Sequence, residues 1–372
     1  KLDLALKDAV KSLKRDNCNF DALNSNEKEL DVQILPRCTS SWGHNNKDKN
    51  NSNTLNNFLN HMYYIDTREF RHRTGYEVSH CMLSCERFDR AAEKHYLNIG
   101  TTPLGNGTKL ELKMFESGDG TCQFKVIGIS NEEELMTNVV KILNRAKELE
   151  IDIMCFPEML GSEKIQDKIG EVLSDFPEEN DKRSPVLTVC PTIWKDEENK
   201  VVVLDEYGVE VLTQNKQKPY VHEDQGQFYK EALKPQKHIK VLHCDGIGRL
   251  AILICRDALE RDFLQAVLEI LKVTLLIVPS FSTGYYDFSE DLKMCAAYDC
   301  SVIWINTCSA IPNDKRLNND KIGFVRKAGK KTIFRNGEHC YNFSECIRKQ
   351  GGEECSKCIF TEKLYFESTG CK

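Results

Sequence analysis

Three polar residues each follow a short apolar run, and together they could carry out thiol chemistry. Cys255 ends the run LAILIC, just before a helical pattern over residues 258–272. A thiol at a strand-to-helix turn lies at the carboxyl edge of a sheet, where the nearby helix start lowers its pKa. Cys255 is therefore a candidate nucleophile, and a cysteine packed in the core is the alternative.

The other two residues could supply a base and a cation. Glu158 ends the apolar run IDIMCFPE, where partial loss of solvent would raise its pKa toward that of a general base. A carboxylate at a helix N-terminus is the alternative. Lys216 follows VEVLTQN, and its ammonium could stabilise a thiolate and an anionic tetrahedral intermediate. By position alone, Lys218 is an equal candidate.

The elements around these residues indicate an α/β domain. FKVIGIS, the helical pattern of residues 132–149 and IDIMCFPE have the lengths of a strand–helix–strand unit. The runs LAILIC, TLLIVP and SVIWI are continuously apolar, which is typical of strands buried on both faces. Tyr207-Gly208 marks a hairpin turn just before Lys216. The pattern predicts sheets covered by layers on each side.

Composition narrows the classes of function. The chain has 372 residues and a net charge of -6, so its charge gives no indication of nucleic-acid binding. No apolar run is long enough to span a bilayer, and we expect no membrane partner. The 17 cysteines are odd in number and scattered, and no secretion signal precedes them. This favours a reducing, cytoplasmic location over a disulfide framework.

A change in the sequence pattern predicts a domain boundary near residue 122. Residues 39–57 are polar and rich in Asn, like a linker, and the regular alternation of strands and helices begins only at Phe124. We therefore expect residues 1–121 to form an N-terminal extension of unknown role, outside a domain formed by residues 122–372. The chain begins at Lys1 rather than Met, which suggests fusion to another module upstream.

Taken in order, these blocks resemble the carbon–nitrogen hydrolase (nitrilase) superfamily over residues of about 122–372. The family's F-P-E motif corresponds to Glu158, and its I-C-x-D/E motif corresponds to Cys255. NKQKPYVHE resembles the family's lysine block, which selects Lys216 over Lys218 and places an additional active-site carboxylate at Glu223, or at Asp224 after a slip of one residue. Each motif is short, but the ordered set is specific.

The resemblance implies a four-layer α-β-β-α sandwich that assembles into homo-oligomers, such as dimers. It implies a thiol hydrolase that cleaves a non-peptide C–N bond of a small amide or related molecule through a thioester. Glu158, Lys216 and Cys255 would form the catalytic triad. The backbone N–H of Arg256 would help to hold the oxyanion, and Glu223 and Phe281 would position the substrate. No cofactor is needed for this catalysis.

The C-terminal segment 339–371 is rich in cysteine. Cys355 and Cys358 have the spacing of a zinc knuckle, and Cys340 and Cys346 could complete four ligands. A structural zinc is therefore one hypothesis for this segment. Free cysteines in a surface insertion are the alternative.

Two other classes of function fit the same sequence. The atypical first third suggests a nitrilase-like effector or regulatory module of a larger fusion, such as a defence-associated reverse transcriptase. A pseudoenzyme that binds a ligand is the third hypothesis. The intact Glu158, Lys216 and Cys255 favour an enzyme.

Overall fold

The computed structural model describes residues 31–38, 61–89, 94–104, 107–175, 183–311, 321–328, 338–342 and 358–365, together with residues 40, 56 and 59. Its strands are β1 (Val32–Pro36), β2 (Met62–Asp66), β3 (Glu77–Leu83), β4 (Tyr96–Thr101), β5 (Leu110–Glu116), β6 (Cys122–Ile129), β7 (Ile153–Cys155), β8 (Leu187–Val189), β9 (Ile193–Lys195), β10 (Glu198–Asp205), β11 (Glu210–Asn215), β12 (Val221–Asp224), β13 (Gln227–Glu231), β14 (His238–Cys244), β15 (Gly248–Ile252), β16 (Leu275–Pro279), β17 (Ser301–Ile305), β18 (Lys321–Arg326), β19 (Glu338–Asn342) and β20 (Phe360–Tyr365). Its α-helices are α1 (Thr67–Thr74), α2 (Glu86–Asp89), α3 (Glu132–Glu148), α4 (Glu163–Ser174), α5 (Arg261–Glu269), α6 (Tyr286–Asp291) and α7 (Met294–Ala297).

Two seven-stranded sheets position the residues of interest. The first sheet has the order β11-β10-β8-β7-β4-β20, with β9 paired to β10. The second sheet has the order β19-β18-β17-β16-β15-β14-β3. Both sheets are mixed. In the first, β7 is parallel to β4 and β8, and β8 is antiparallel to β10; in the second, β16 is parallel to β15 and β17, and β17 is antiparallel to β18. Parallel neighbours bring several carboxyl ends to the same edge, where a site can form.

The two sheets share one hydrophobic core, and helices cover their outer faces. Strands β4, β7 and β8 of the first sheet and β14, β15 and β16 of the second contribute buried side chains to this core. Helices α3 and α4 pack over the other face of the first sheet, against Met154 and Phe156. Helix α1 packs against β3 and α5 beside the second sheet. The four-layer α-β-β-α arrangement predicted from the sequence is confirmed.

The helices and the hairpin have clear local causes. Helix α3 buries apolar residues that recur every three or four positions, namely Leu135, Val139, Ile142, Leu143 and Ala146. Ser162 caps α4, because its side chain accepts a hydrogen bond from the N–H of Ile165. Gly208 adopts a φ of 78° in the turn between β10 and β11, which favours glycine. The predicted hairpin is thus confirmed, and its second strand leads directly to Lys216.

The predicted boundary near residue 122 is wrong. Strand β3 pairs with β14 from Glu77 to Leu83, and β4 lies between β7 and β20 inside the first sheet. Both strands precede residue 122 and belong to the sandwich. The local sequence pattern did not indicate β3 and β4, because charged segments separate these strands. Pairing with strands that are remote in sequence also leaves no signal in composition. A fragment that starts at Cys122 would lack both strands, and we expect it not to fold.

The predicted unit of FKVIGIS, helix and IDIMCFPE is also wrong in its first strand. FKVIGIS lies in β6, which pairs with β5 and β13 in a separate four-stranded sheet, whereas the parallel partners of β7 are β4 and β8. In β6, Phe124 and Val126 are buried and Ile127 is 60% exposed, which is typical of a sheet with one face in solvent. Nearness in sequence was a poor guide to strand pairing here. Most of the Asn-rich segment 39–57 lies outside the described residues.

Candidate active site

Cys255 lies at a sharp turn between β15 and a 3₁₀ turn, Cys255–Leu259. Its φ is 49°, in the left-handed region that residues other than glycine seldom adopt. Such backbone strain costs about 1–3 kcal/mol and is concentrated at functional sites. The thiol is only 5% exposed. The structure therefore places Cys255 at a strand end, as the sequence predicted, with α5 beginning later, at Arg261.

Glu158 follows β7 and is completely enclosed. Its Oε1 atom accepts hydrogen bonds from Lys216 Nζ at 2.9 Å and from Asn199 Nδ2 at 2.8 Å. Its Oε2 atom accepts a hydrogen bond from the backbone N–H of Phe281 at 2.8 Å. The Cys255 thiol lies close enough to the Glu158 carboxyl for each group to shift the pKa of the other. These contacts hold the carboxyl group against the thiol, where a general base must lie.

Lys216 follows β11, and its backbone N–H donates to the carbonyl of Asn199 at 2.7 Å. Its buried ammonium lies between two carboxylates, 2.9 Å from Glu158 Oε1 and 2.8 Å from Glu231 Oε2. Burying an ammonium is costly unless opposite charges and hydrogen bonds compensate for the lost water. By contrast, the Lys218 ammonium lies 5.7 Å from the ring centroid of Tyr76. The geometry therefore distinguishes Lys216 from Lys218, which were equal candidates by position in the sequence before the family resemblance was applied.

The second glutamate of the site is Glu231, and the prediction of Glu223 is wrong. Glu223 lies exposed in β12, whereas Glu231, at the end of β13, is buried and contacts Lys216. The Oε2 atom of Glu231 also accepts the N–H of Tyr220 at 2.9 Å. The motif comparison counted residues along the chain, but the β12–β13 hairpin separates Lys216 from its partner. The turn residues around Gly226 were the available signal for this hairpin.

Phe281 contributes to the site through its backbone, and the prediction for Arg256 also concerned its backbone. Phe281 follows β16, and its N–H donates to the Glu158 carboxylate and lowers the pKa of the Cys255 thiol. Arg256 follows the nucleophile, and its side chain is exposed, with Nε 3.5 Å from Glu260 Oε1. The predicted role of Arg256 concerned its backbone N–H, which lies at the start of the 3₁₀ turn. A side-chain role for Arg256 has no support in these contacts.

Electrostatics leave the resting thiol protonated. Burial raises the pKa of Cys255, the Glu158 charge raises it further, and the Lys216 charge opposes both. The sequence suggested a thiol pKa lowered by a helix start, but burial outweighs the short 3₁₀ turn. Burial also raises the pKa of Glu158, against the opposing charge of Lys216. The site therefore pairs a neutral thiol with a carboxyl group that can accept its proton.

Lys216 keeps its charge in this setting. Burial alone would lower its pKa, but the Glu158 and Glu231 carboxylates raise it well above its ordinary value. An ammonium that remains charged beside the thiol can stabilise negative charge on sulfur or on a substrate oxygen.

The predicted zinc site stays a prediction. Cys346 and Cys355 lie outside the described residues, only the backbone of Cys340 is described, and Cys358 is half-buried. Within the described ranges, no group of three or more His, Cys, Asp or Glu side chains has a geometry suited to a metal ion. In the same ranges, no helix is both long and apolar enough to cross a membrane.

Comparison with known proteins finds structural matches only. No protein-family model matches the chain, and no curated protein matches it. An amidase from Nesterenkonia sp. is 14% identical, with a TM-score of 0.44 over 62% of this chain and 82% of that chain. A mutant of the amidase from Nesterenkonia sp. AN1, with the acetamide moiety of fluoroacetamide covalently added at its active-site cysteine, is 12% identical. That match has a TM-score of 0.44 and covers 72% of this chain and 90% of the other.

A third match is a cysteine-to-alanine mutant of the Nesterenkonia AN1 amidase, described as a member of the nitrilase superfamily. It is 13% identical, with a TM-score of 0.44 over 62% of this chain and 82% of its own. This superfamily is the one that the sequence motifs resemble. At such low identity, the function of the present chain must be argued from its own site.

Proposed function

We propose that this protein hydrolyses a non-peptide C–N bond of a small amide through a thioester on Cys255. The observation that carries the proposal is the meeting of three side chains from two sheets. Glu158 and Lys216 follow strands of the first sheet, and Cys255 follows a strand of the second. Lys216 contacts Glu158 directly, and the charges of both shift the pKa of the Cys255 thiol. A nucleophile, a base and a fixed cation in one enclosed place are the requirements of acyl transfer.

The first half of the reaction forms the thioester. Glu158 takes the thiol proton of Cys255 as the sulfur attacks the amide carbon. The Lys216 ammonium and the backbone N–H of Arg256 stabilise the oxygen of the tetrahedral intermediate. Glu158 then gives its proton to the amide nitrogen, the C–N bond breaks, and ammonia or an amine leaves.

The second half consumes water. The Glu158 carboxylate takes a proton from water, which attacks the thioester carbon. A second tetrahedral intermediate collapses, releases the carboxylic acid, and returns the proton from Glu158 to the sulfur. Glu231 holds the Lys216 ammonium in place through both halves. The chain's own residues supply every proton transfer in this scheme.

The homo-oligomer and the cytoplasmic location belong to the proposal and rest on the sequence alone.

Acid-quenched reactions with a library of small amides test the proposal. Intact-mass spectrometry should detect an acyl adduct, and peptide mapping should place it on Cys255, with release of ammonia or amine. Cys190, buried in the core of the same sheet as Glu158, should carry no adduct. Amides that bind without any adduct or amine release would instead support a ligand-binding pseudoenzyme.

A further inference from the structure

Asp257 is a buried carboxylate two residues after the nucleophile, and the mechanism above does not use it. It is 1% exposed. Its Oδ1 atom accepts the backbone N–H groups of Gln217 at 2.9 Å and of Lys218 at 2.7 Å. Its Oδ2 atom accepts the N–H of Gln217 at 3.1 Å and of Ile254 at 3.3 Å. One side chain thus binds backbone on both sides of the site.

These contacts join the two halves of the catalytic apparatus. Gln217 and Lys218 directly follow Lys216 at the end of β11 in the first sheet, and Ile254 precedes Cys255 after β15 in the second. The base is joined across the same gap by the Phe281 N–H to Glu158 at 2.8 Å and by the Glu158 N–H to the carbonyl of Ser280 at 3.4 Å. For Lys216, the corresponding connection runs from the Asp257 carboxylate to the backbone of the two residues that follow Lys216.

We infer that Asp257 is a positioning residue that fixes Lys216, and with it Glu158, relative to the Cys255 thiol. The inference rests on the proposed function of this site. A cap for the 3₁₀ turn alone would need only the Ile254 contact, which is the longest of the four. The shorter contacts reach the strand that carries Lys216, so the carboxylate determines how the two sheets meet at the nucleophile.

The charged form of Asp257 fits this role. All four contacts come from N–H donors, so a proton on either oxygen would face a donor. Burial raises the pKa of Asp257 to about 7, while Lys216 and these N–H groups oppose the rise. The phenol of Tyr76 and the carboxylate of Glu260 belong to the same environment, since Asp257 and Glu260 both raise the pKa of Tyr76. The connection should weaken as pH falls through about 7.

The alkylation rate of Cys255 tests the inference without a known substrate. Iodoacetamide is added to the full chain between pH 6 and 9, and modified peptides are quantified by mass spectrometry. In Asp257→Asn, we expect Cys255 to react about tenfold more slowly at pH 8, because misplacing a catalytic group by a fraction of an ångström is costly. The parent rate should also show an inflection near pH 7 that the variant lacks.

Two controls separate positioning from general loosening of the fold. Asp152 is a matched carboxylate, 5% exposed, which accepts the Asn98 N–H at 2.8 Å and pairs with Arg87 at the start of β7, away from Glu158. Asp152→Asn should leave the Cys255 rate unchanged. Cys190 is the internal control, because opening of the fold would speed the alkylation of both cysteines.

Each outcome has a distinct meaning. Faster alkylation of both Cys255 and Cys190 in Asp257→Asn, or a Cys255 rate equal to that of the parent, would overturn the positioning role. A parent Cys255 that reacts no faster than Cys190 would overturn the nucleophile itself, and with it the proposed function. If Asp257→Asn does not fold, Asp257→Glu retains the charge but moves the carboxylate. We expect it to slow Cys255 while keeping a pH inflection that Asp257→Asn lacks, and a parent-like rate would overturn the inference.

Discussion

Two buried polar clusters among the described residues invite comparison, and one of them adjoins the proposed nucleophile. The first, to which we assign catalysis and which we call the catalytic cluster, consists of Glu158, Lys216 and Glu231, at the ends of strands. The histidine cluster consists of His80, His243 and Arg249, within β3, β14 and β15 of the second sheet. In the histidine cluster, His80 Nδ1 lies 2.8 Å from His243 Nε2, and both side chains are almost fully buried.

The two clusters differ in how charge is balanced. In the catalytic cluster, an ammonium lies between carboxylates, so opposite charges compensate for burial. In the histidine cluster, burial and the Arg249 charge lower the pKa of His80 to about 3, which keeps it neutral. No strained nucleophile adjoins the histidines among the described residues. Burial of polar groups therefore indicates function only where those groups converge on an atom that can react.

The largest expected effect is the loss of turnover in Cys255→Ala. If Cys255 forms the thioester, its removal should lower turnover by about a thousandfold or more. The melting temperature should stay the same or rise slightly, because a thiol held for reaction beside a buried carboxyl contributes little to stability. Steady-state assays and calorimetry on an amide that the parent hydrolyses check both points. Full activity in this variant would end the enzyme hypothesis in its present form.

Removing the buried cation of each cluster sharpens the comparison. Lys216→Met leaves two buried carboxylates without their counter-charge, and we expect a loss of about 3–5 kcal/mol of unfolding free energy. Turnover should fall by about a hundredfold or more, because the stabiliser of the oxyanion is gone.

Arg249→Met is the matched change in the histidine cluster. It should lower stability in urea unfolding while leaving the alkylation rate of Cys255 intact, and a reduced rate would link the two clusters.

A smaller effect concerns the pH dependence of stability. The folded-state pKa of His80 lies below the ordinary value of 6.5, so the unfolded chain binds more protons below that pH. Stability is therefore lost as pH falls from about 6.5 toward 3. Between pH 7 and 5, the parent should lose about 2 kcal/mol through this residue.

The variant His80→Leu should not show that part of the acid loss, although it starts from a lower stability at pH 7. Urea unfolding at both pH values measures the difference. His72→Leu, on the exposed face of α1, is the control and should keep the pH dependence of the parent. An unchanged acid loss in His80→Leu would mean that other groups account for it.

The smallest expected effect concerns Cys300, which the sequence suggests is structural. Its side chain is 1% exposed, and burial raises its pKa. Cys300→Ala should cost about 1 kcal/mol through lost contacts and a small cavity, and turnover should stay within about twofold of the parent. Thermal unfolding and the same amide assay check this. A collapse of activity would mean that the reactive cysteine had been misassigned.

Much of the candidate site was visible in the sequence because its residues end local apolar runs. Glu158 and Cys255 follow continuous apolar segments, and Lys216 follows a hairpin whose turn carries Tyr207-Gly208. These signals need only a few neighbouring residues, but they left Lys218 equal to Lys216 until the family resemblance was applied. Glu231 was not predicted, because a hairpin separates it from Lys216. Alignment of the motif along the chain therefore pointed to the exposed Glu223.

The sequence by itself determined the alternation of strands and helices, the layered class of fold and the strand ends that carry the proposed nucleophile, base and cation. Hydrophobic periodicity is a local property of the sequence, and it does not depend on which other strands or helices a segment contacts. Tertiary structure alone decided that β3 and β4 complete the two sheets, that Glu231 binds the Lys216 ammonium, and that Asp257 binds the backbone just after Lys216. It also decided that the thiol is buried and protonated. Those features depend on contacts between residues remote in sequence, and their charge states depend on the solvent that such contacts exclude.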